Sequence, residues 1–383
     1  MERVQARVNV AAIERNCARL RTELSGDTQL CAVVKANGYG HGAPQSALAA
    51  LAGGASWLAV AGAAELRELR EAGIERTPIL VMGALTPVEL TDTLALGGDV
   101  VVWNERYLQT IAAAGGGRVH VKLDSGMGRL GTRDPEQASA AVAAAERTAG
   151  VELVGVMTHF ATADDLHDGG FFAQQLQAFA DWVSSLQRPG LLVHAANSAA
   201  TLREPAARFG MVRCGIAVYG MDPFGEDPAL RALEPALELC SYVAEVKRCR
   251  VGESAGYGRR FIAERETSIG LLPVGYGDGW RRGLSNNAEV LVAGRRRPLV
   301  GTVSMDSITV DLGPGDQDNL RGAAAALIGL QGTERITAEE VARRLQTINY
   351  EITCGLTPRV TRVYHRDGGP CPIPALQTAS VPR

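Results

Sequence analysis

Aromatic residues are scarce in this chain, 5% of 383 residues, and no unbroken apolar run reaches the length of a membrane-spanning helix. An excess of either charge is also missing. With 39 basic against 42 acidic side chains and a net charge of -3, no overall field would draw the chain to phosphate polymers or anionic lipid, so neither nucleic acid nor membrane is an expected partner. The seven cysteines form no C-x-x-C pair, and an odd number cannot close into a complete disulfide set. Together with six histidines they show no metal-ligand spacing, so no metal is expected. Met1 to Val10 lacks the apolar core of a signal peptide, and cysteine usage suits a reducing compartment; both point to the cytoplasm.

What is present is a rhythm. Eight short apolar, β-branched runs occur in the first part of the chain: 31–36, 57–61, 78–82, 100–103, 119–123, 153–158, 191–195 and 212–219. Most are separated by stretches with helical spacing, such as 63–72, 87–96, 135–148 and 171–186. Buried continuous runs joined by helices mean parallel strands, and eight such units predict a (β/α)8 barrel over residues 1–234. A doubly wound open sheet is the alternative. Beyond residue 234 the pattern changes to strand-like segments (241–251, 268–273, 289–292, 298–303, 308–312) between Gly- and Pro-containing turns, with one helical stretch at 338–345. Residues 235–383 therefore read as a mostly β C-terminal domain. Arg295-Arg296-Arg297 reads as a solvated hairpin tip, and Gly275-Tyr276-Gly277-Asp278-Gly279 as a turn rather than a dinucleotide fingerprint.

A barrel does its chemistry where its strands end, and unusual polar residues stand there. Lys35 closes the first apolar run; burial would lower its pKa toward the nucleophilic amine that Schiff-base chemistry needs, although a lysine emerging into solvent fits as well. Arg129 lies in a Gly-rich loop after the fifth run and offers a planar fork to a carboxylate or oxyanion. His159 and His194 end the sixth and seventh runs. Ser198 and the backbone amides of Gly215 and Ile216 are candidate phosphate donors, with Arg213 beside them.

Val33-Val34-Lys35-Ala36-Asn37-Gly38-Tyr39-Gly40-His41-Gly42 closely resembles the lysine signature of the alanine racemases, pyridoxal-phosphate enzymes that interconvert L- and D-alanine. The likeness continues through Asp124 to Gly131, Thr158-His159-Phe160, Asn197-Ser198, Met211 to Ile216, Tyr257-Gly258, Gly301 to Asp306 and Ile348 to Glu351, so it covers essentially the whole chain. The resemblance implies pyridoxal 5'-phosphate held covalently on Lys35, with Tyr39, Ser198, Gly215, Ile216 and Tyr350 around its phosphate. His159 would pack near the cofactor ring and Arg213 would face the pyridine nitrogen. A permanently protonated arginine there makes a shallow electron sink, which favours reprotonation over side reactions. Arg129 and Met305 are implied at the substrate, and Lys122 at a position where family members often carry a carbamate.

The implied reaction is two-base proton transfer on a pyridoxal-phosphate aldimine, with Lys35 on one face and Tyr257 on the other. In the family, Tyr257 and Met305 come from the partner subunit, which makes the expected assembly a homodimer with shared active sites, supplying D-alanine for peptidoglycan. Two departures, Gly38 where alanine is usual and Ala255-Gly256 where Val-Ser is common, are expected to loosen the local backbone. The competing readings are a racemase of broader range, acting on serine, lysine or arginine, and a non-catalytic pyridoxal-phosphate carrier. Tyr350 resembles the bulky residue that narrows the entrance in alanine-selective members, and carriers are shorter and lack the β domain.

Overall fold

The computed structural model describes residues 2–371; Met1 and residues 372–383, which end the expected C-terminal domain, lie outside the described residues. After β1 (Gln5–Asn9) come eight strands, β2 (Gln29–Val33), β3 (Trp57–Val60), β4 (Ile79–Val81), β5 (Asp99–Val102), β6 (Gly117–Lys122), β7 (Val151–Met157), β8 (Leu192–His194) and β9 (Met211–Cys214). Each pairs in parallel with the next, and β9 returns to β2 through Leu30 and Val212 to close a barrel. The open-sheet alternative is thereby excluded. Strands such as β3, β4 and β5 are buried along their whole length, as parallel strands covered by helices must be. Local chemistry sets the helix starts: Thr86 and Glu89 form a reciprocal capping box with Pro87 in the first turn, while Asn104 and Asp134 cap two later helices.

One run is shorter than expected. The segment from Val212 leaves the strand at Cys214 and becomes a tight 3-10 turn over Ile216–Tyr219. Gly215 lies at this break.

The remaining strands are β10 (Leu237–Tyr242), β11 (Glu245–Cys249), β12 (Ser254–Ala255), β13 (Phe261–Ile262), β14 (Thr267–Leu272), β15 (Glu289–Val292), β16 (Arg295–Pro298), β17 (Ile308–Gly313), β18 (Ala324–Gln331), β19 (Glu334–Ile336), β20 (Thr361–Arg366) and β21 (Gly369–Pro370). They form a large sheet ordered β16-β15-β18-β10-β1-β20-β21, a three-stranded sheet β11-β14-β17 and a hairpin β12-β13. The sequence reading divides the chain once, after residue 234. By contacts, one compact unit is Ile13–Val218, and the other joins the chain start through Ala12 to Tyr219–Cys371. The reason is β1, a strand absent from the sequence reading, which pairs antiparallel with β10 and parallel with β20.

Two further corrections concern this second unit. Of the 298–303 segment, Pro298 ends β16 and Leu299 forms an isolated bridge, whereas the three arginines expected at a solvated tip begin β16. The tip is Ala293-Gly294, both at positive φ, and Arg296 is tied to Glu289, Glu334 and Glu340 at 2.8 to 3.1 Å. The Gly275–Gly279 turn also carries a lock, because the buried Asp278 carboxylate is held by both terminal nitrogens, Nη1 and Nη2, of the Arg3 guanidinium.

Candidate active site

Lys35 stands one residue beyond β2, after Val34, and begins a short turn whose next four residues, Ala36, Asn37, Gly38 and Tyr39, all take left-handed backbone angles, φ 52° to 59°. Three non-glycine residues in that region are a strained arrangement, of the kind that clusters at functional sites and persists only when neighbours over-determine it. Here the neighbour is Glu65, a residue the sequence reading missed. Its carboxylate accepts from the Ala36 N–H and the Ala61 N–H, each at 2.7 Å, and so clamps together the chain segments that leave β2 and β3.

Both sequence departures sit in or beside hydrogen-bonded backbone. Gly38 is buried and donates to the Val34 carbonyl at 2.9 Å. Gly256 sits at φ 75°, where a Cβ would come within 3.0 Å of the Thr302 nitrogen, and Thr302 Oγ1 donates to the Tyr257 carbonyl at 2.7 Å. That bond anchors the backbone from which Tyr257 projects.

Lys122 ends β6, buried, and its pKa is pushed down to about 8 by burial and by the cations of Arg213 and Arg129. The loop beyond it is tied by Asp124, whose carboxylate accepts the Gly126 and Gly128 N–H groups at 3.0 to 3.1 Å. Burial alone would raise the Asp124 pKa, but the N–H groups of Gly128, Gly126 and Met127 outweigh it and hold the carboxyl below its usual range. Arg129 rides on this tied loop, exposed.

Tyr39, Ser198 and Gly215 meet at the end of the barrel. Ser198 Oγ accepts from the Gly215 N–H at 3.0 Å and the Ala217 N–H at 3.3 Å. A Cβ on residue 215 would lie 2.2 Å from the Tyr39 hydroxyl, so only glycine allows tyrosine to approach that backbone. Ile216 is fully buried beside them in sequence.

Arg213, third residue of β9, is buried, and burial pushes its pKa down to about 10. Its Nη2 donates to the carbonyls of Thr158 at 2.7 Å and Ala195 at 3.1 Å and lies 3.3 Å from His159 Nδ1. Its Nη1 donates to His194 Nδ1 at 2.8 Å. Behind this stands a buried chain: His194 Nε2 is 2.9 Å from His120 Nδ1, and His120 Nε2 is 3.1 Å from Asp99 Oδ2. Arg118 donates from Nε to Asp99 Oδ1 at 3.0 Å and from Nη1 to Glu152 at 2.6 Å. The sequence reading noted His194 but not Asp99, Arg118 or His120. One signal was available: strand alternation puts His120 on the same side of β6 as Lys122.

His159 is held neutral, its pKa well below the usual value through burial and through the cations of Arg213, Arg129, Lys122 and Lys35. The barrel unit thus brings Lys35, Lys122, Arg129 and Arg213 to bear on His159 and sets Tyr39, Ser198 and Gly215 together, with Ile216 next in the chain. The second unit carries Tyr257, Met305 and Tyr350. Tyr257 is 73% and Met305 51% exposed on it, while Tyr350 is half-buried in the helix Asn349–Cys354.

Acid should destabilise this barrel. Burial is the largest cause lowering the pKa values of His120 and His194, and Arg213 lowers both further. In the unfolded chain both titrate near 6.5, so below that pH the unfolded state binds protons that the folded state refuses. Stability is therefore present above about pH 6.5 and falls on acidification, by up to about 1.4 kcal/mol per pH unit for each histidine. Urea unfolding at pH 7.5 and 5.5 checks this; a midpoint unmoved or raised at the lower pH would contradict a neutral pair.

Comparison with known proteins bears on this constellation. Residues 8–223 match the family model described as alanine racemase, N-terminal domain, and residues 236–364 match alanine racemase, C-terminal domain. The chain is 39% identical over 368 residues to alanine racemase 1 of Bacillus subtilis (strain 168), covering 95% of this chain and 93% of that protein. It is 42% identical over 370 residues to the alanine racemase of Geobacillus stearothermophilus, covering 94% and 93%. Among solved structures, that of alanine racemase from E. faecalis superposes with a TM-score of 0.89 at 36% identity, covering 95% of this chain and 98% of that one. The alanine racemase from Bacillus anthracis with bound L-Ala-P gives 0.87 at 36% identity, with 96% of each chain covered.

Proposed function

Because this chain belongs to the alanine racemase family, we propose that it interconverts L-alanine and D-alanine with pyridoxal 5'-phosphate as cofactor. The observation that carries the reading is the cluster of Lys35, Lys122, Arg129 and Arg213, whose charges all bear on His159. Such a set suits the separate anionic groups of this cofactor and of an amino-acid carboxylate. The implied phosphate cradle fits as well: Ser198 Oγ gathers the Gly215 and Ala217 N–H groups, and a Cβ at 215 would collide with the Tyr39 hydroxyl, so two hydroxyl groups meet a backbone turn there.

In this reading Lys35 Nζ attaches the cofactor, and Tyr39, Ser198, Gly215, Ile216 and Tyr350 hold its phosphate. His159 packs near the ring and Arg213 faces its nitrogen. When bound, the cofactor supplies an electron sink that acidifies the hydrogen on the substrate's α-carbon. Arg129 orients the substrate carboxylate, Lys35 Nζ takes or returns the α-proton on one face, and Tyr257 Oη does so on the other. The exposure of Tyr257 and Met305 supports a homodimer in which both serve the barrel of a second copy. We assign the enzyme to the cytoplasm, where its product supplies D-alanine for peptidoglycan.

Lys122 is assigned a carbamate. A pKa near 8 leaves a substantial share of free amine at neutral pH, the form that adds carbon dioxide, and the product would set a negative charge against Arg129. The chain has only three lysines, at 35, 122 and 247, so the modification is easy to assign. Protein equilibrated with 13C-labelled bicarbonate is expected to give one carbamate carbon resonance that is absent from Lys122→Ala. Persistence of that signal in the variant would remove Lys122 from the role.

The reaction itself is tested by incubating protein, pyridoxal phosphate and L-alanine in heavy water, with chiral separation and NMR of the α-hydrogen. D-alanine carrying deuterium is expected. Loss of the α-hydrogen without inversion would sink the two-base assignment, and equal turnover of serine, lysine or arginine would favour a racemase of broader range.

A further inference from the structure

Between β5 and β9 the barrel interior carries a line of polar side chains: Asp99, His120, His194 and Arg213, each at most 3% exposed. Asp99 opens its strand whereas His194 closes its own, so the line runs from one rim of the barrel toward the other. Its proton positions follow from the two ends. Arg213 Nη1 can only donate, so His194 Nδ1 must accept and the His194 proton must sit on Nε2. That proton points at His120 Nδ1, which leaves the His120 proton on Nε2, facing Asp99 Oδ2. An ionised carboxylate can only accept, so the argument started from Asp99 gives the same assignment. Every link then has one donor and one acceptor.

We propose that Asp99 is a positioning residue for the racemisation: through His120 and His194 it fixes the tautomer that accepts from Arg213, and so fixes the guanidinium that serves the cofactor. This rests on the reading of Arg213 given above. The physical reason is that a buried guanidinium facing a second donor would lose a hydrogen bond and be pushed from its place, whereas a matched chain holds it without reorganisation. The Asp99 end of the line, where the part-exposed Arg118 docks, supplies a switch for testing it. Asp99 Oδ1 accepts from Arg118 Nε while Oδ2 accepts from His120, so the carboxylate satisfies two donors at once.

Asn at 99 has only one oxygen. Arg118 can never accept, so that oxygen turns toward Arg118 and the amide NH2 faces His120 Nε2. His120 must then carry its proton on Nδ1, His194 likewise, and His194 Nδ1–H meets the Arg213 Nη1–H as donor against donor. Replacing Arg118 as well frees the oxygen to turn back to His120 and restores the original order.

The experiment is 15N-detected NMR of the histidine rings, which needs no turnover, alongside steady-state kinetics and the pH profile of kcat. In the unsubstituted protein both His120 and His194 are expected as Nε2–H tautomers. Asp99→Asn is expected to convert both to Nδ1–H and to lower kcat roughly ten- to hundred-fold, by analogy with removal of the outer hydrogen-bond partner of a metal-ligating histidine. Arg118→Met in the Asp99→Asn background is expected to return the Nε2–H tautomers and most of kcat. A merely structural role for Asp99 would predict further loss in the double variant, not recovery. The proposal is overturned by an Nδ1–H tautomer at either ring in the unsubstituted protein, a result that requires no variant to fold. Reversed tautomers with unchanged kcat, or restored tautomers without restored kcat, also overturn it. Failure of the unsubstituted protein to racemise alanine would instead strike the functional reading and leave the tautomer chain standing.

Discussion

Lys35→Ala is expected to abolish both the visible absorbance of lysine-bound pyridoxal phosphate and racemisation in either direction. Few substitutions in the chain should do more, because one amine is assigned two tasks. In the proposed reading its Nζ would hold the cofactor covalently and, once free, would serve as a base at the α-carbon. A general base alone accounts for roughly 10²- to 10⁴-fold, and the loss here should lie at or beyond the upper end of that range. The local backbone makes the experiment clean. The left-handed turn that follows Lys35 is held by the Glu65 carboxylate at the Ala36 N–H, and by the Gly38 N–H on the Val34 carbonyl, so removal of the lysine side chain leaves its support intact. Absorbance titration with cofactor and borohydride reduction followed by mass mapping provide the check. A coloured adduct on the variant, reducible to a different lysine, would overturn the assignment.

Tyr257→Phe should lower racemisation by roughly 10²- to 10⁴-fold, with kcat/KM falling equally in the two directions because the enantiomers have the same free energy. The hydroxyl is the only group lost. Its backbone is tied by Thr302 Oγ1 at the residue 257 carbonyl, and its ring is 73% exposed on its own unit, so phenylalanine should leave folding unchanged. Equal rates for the two proteins would remove Tyr257 from the mechanism. The same variant tests the assembly. Mixed with Lys35→Ala, each inactive alone, it should regain activity in hybrid dimers, where one of the two shared sites has both Lys35 and Tyr257 intact. With random pairing about a quarter of all sites would be competent. No recovery after verified subunit exchange would refute a shared site.

Much of the barrel could be read from periodicity, because its strands are buried on both faces and carry their signal locally: 57–61 and 78–82 are apolar runs bounded by helical spacing, and the structure pairs them as β3 and β4. The motif residues after β2, β6, β8 and β9 were legible for a related reason, since polar groups closing apolar strands stand out. Errors arose where pairing is non-local. Gln5–Asn9 is a strand only because β10 and β20 flank it, and Arg295–Arg297 are strand residues because Glu289, Glu334 and Glu340 neutralise the central one. β10 and β20 lie far along the chain from β1, and Glu334 and Glu340 lie 38 and 44 residues from Arg296, beyond what local pattern can sense; only Glu289, seven residues away across the hairpin, was within reach.

Of the site, residue types and their order along the chain were determined by the sequence alone: a lysine after the first barrel strand, an arginine within the last, glycine at 215 and 256, and a family signature from end to end. Which groups act on one another was decided only by tertiary structure. Asp99, His120, His194 and Arg213 are far apart in the chain and come from four different strands, and barrel closure joins them into one hydrogen-bonded line. The same closure gathers four cations around His159 and brings Lys122 near pH 8. Charge coupling and desolvation depend on distance and burial, quantities that a strand's own sequence does not contain.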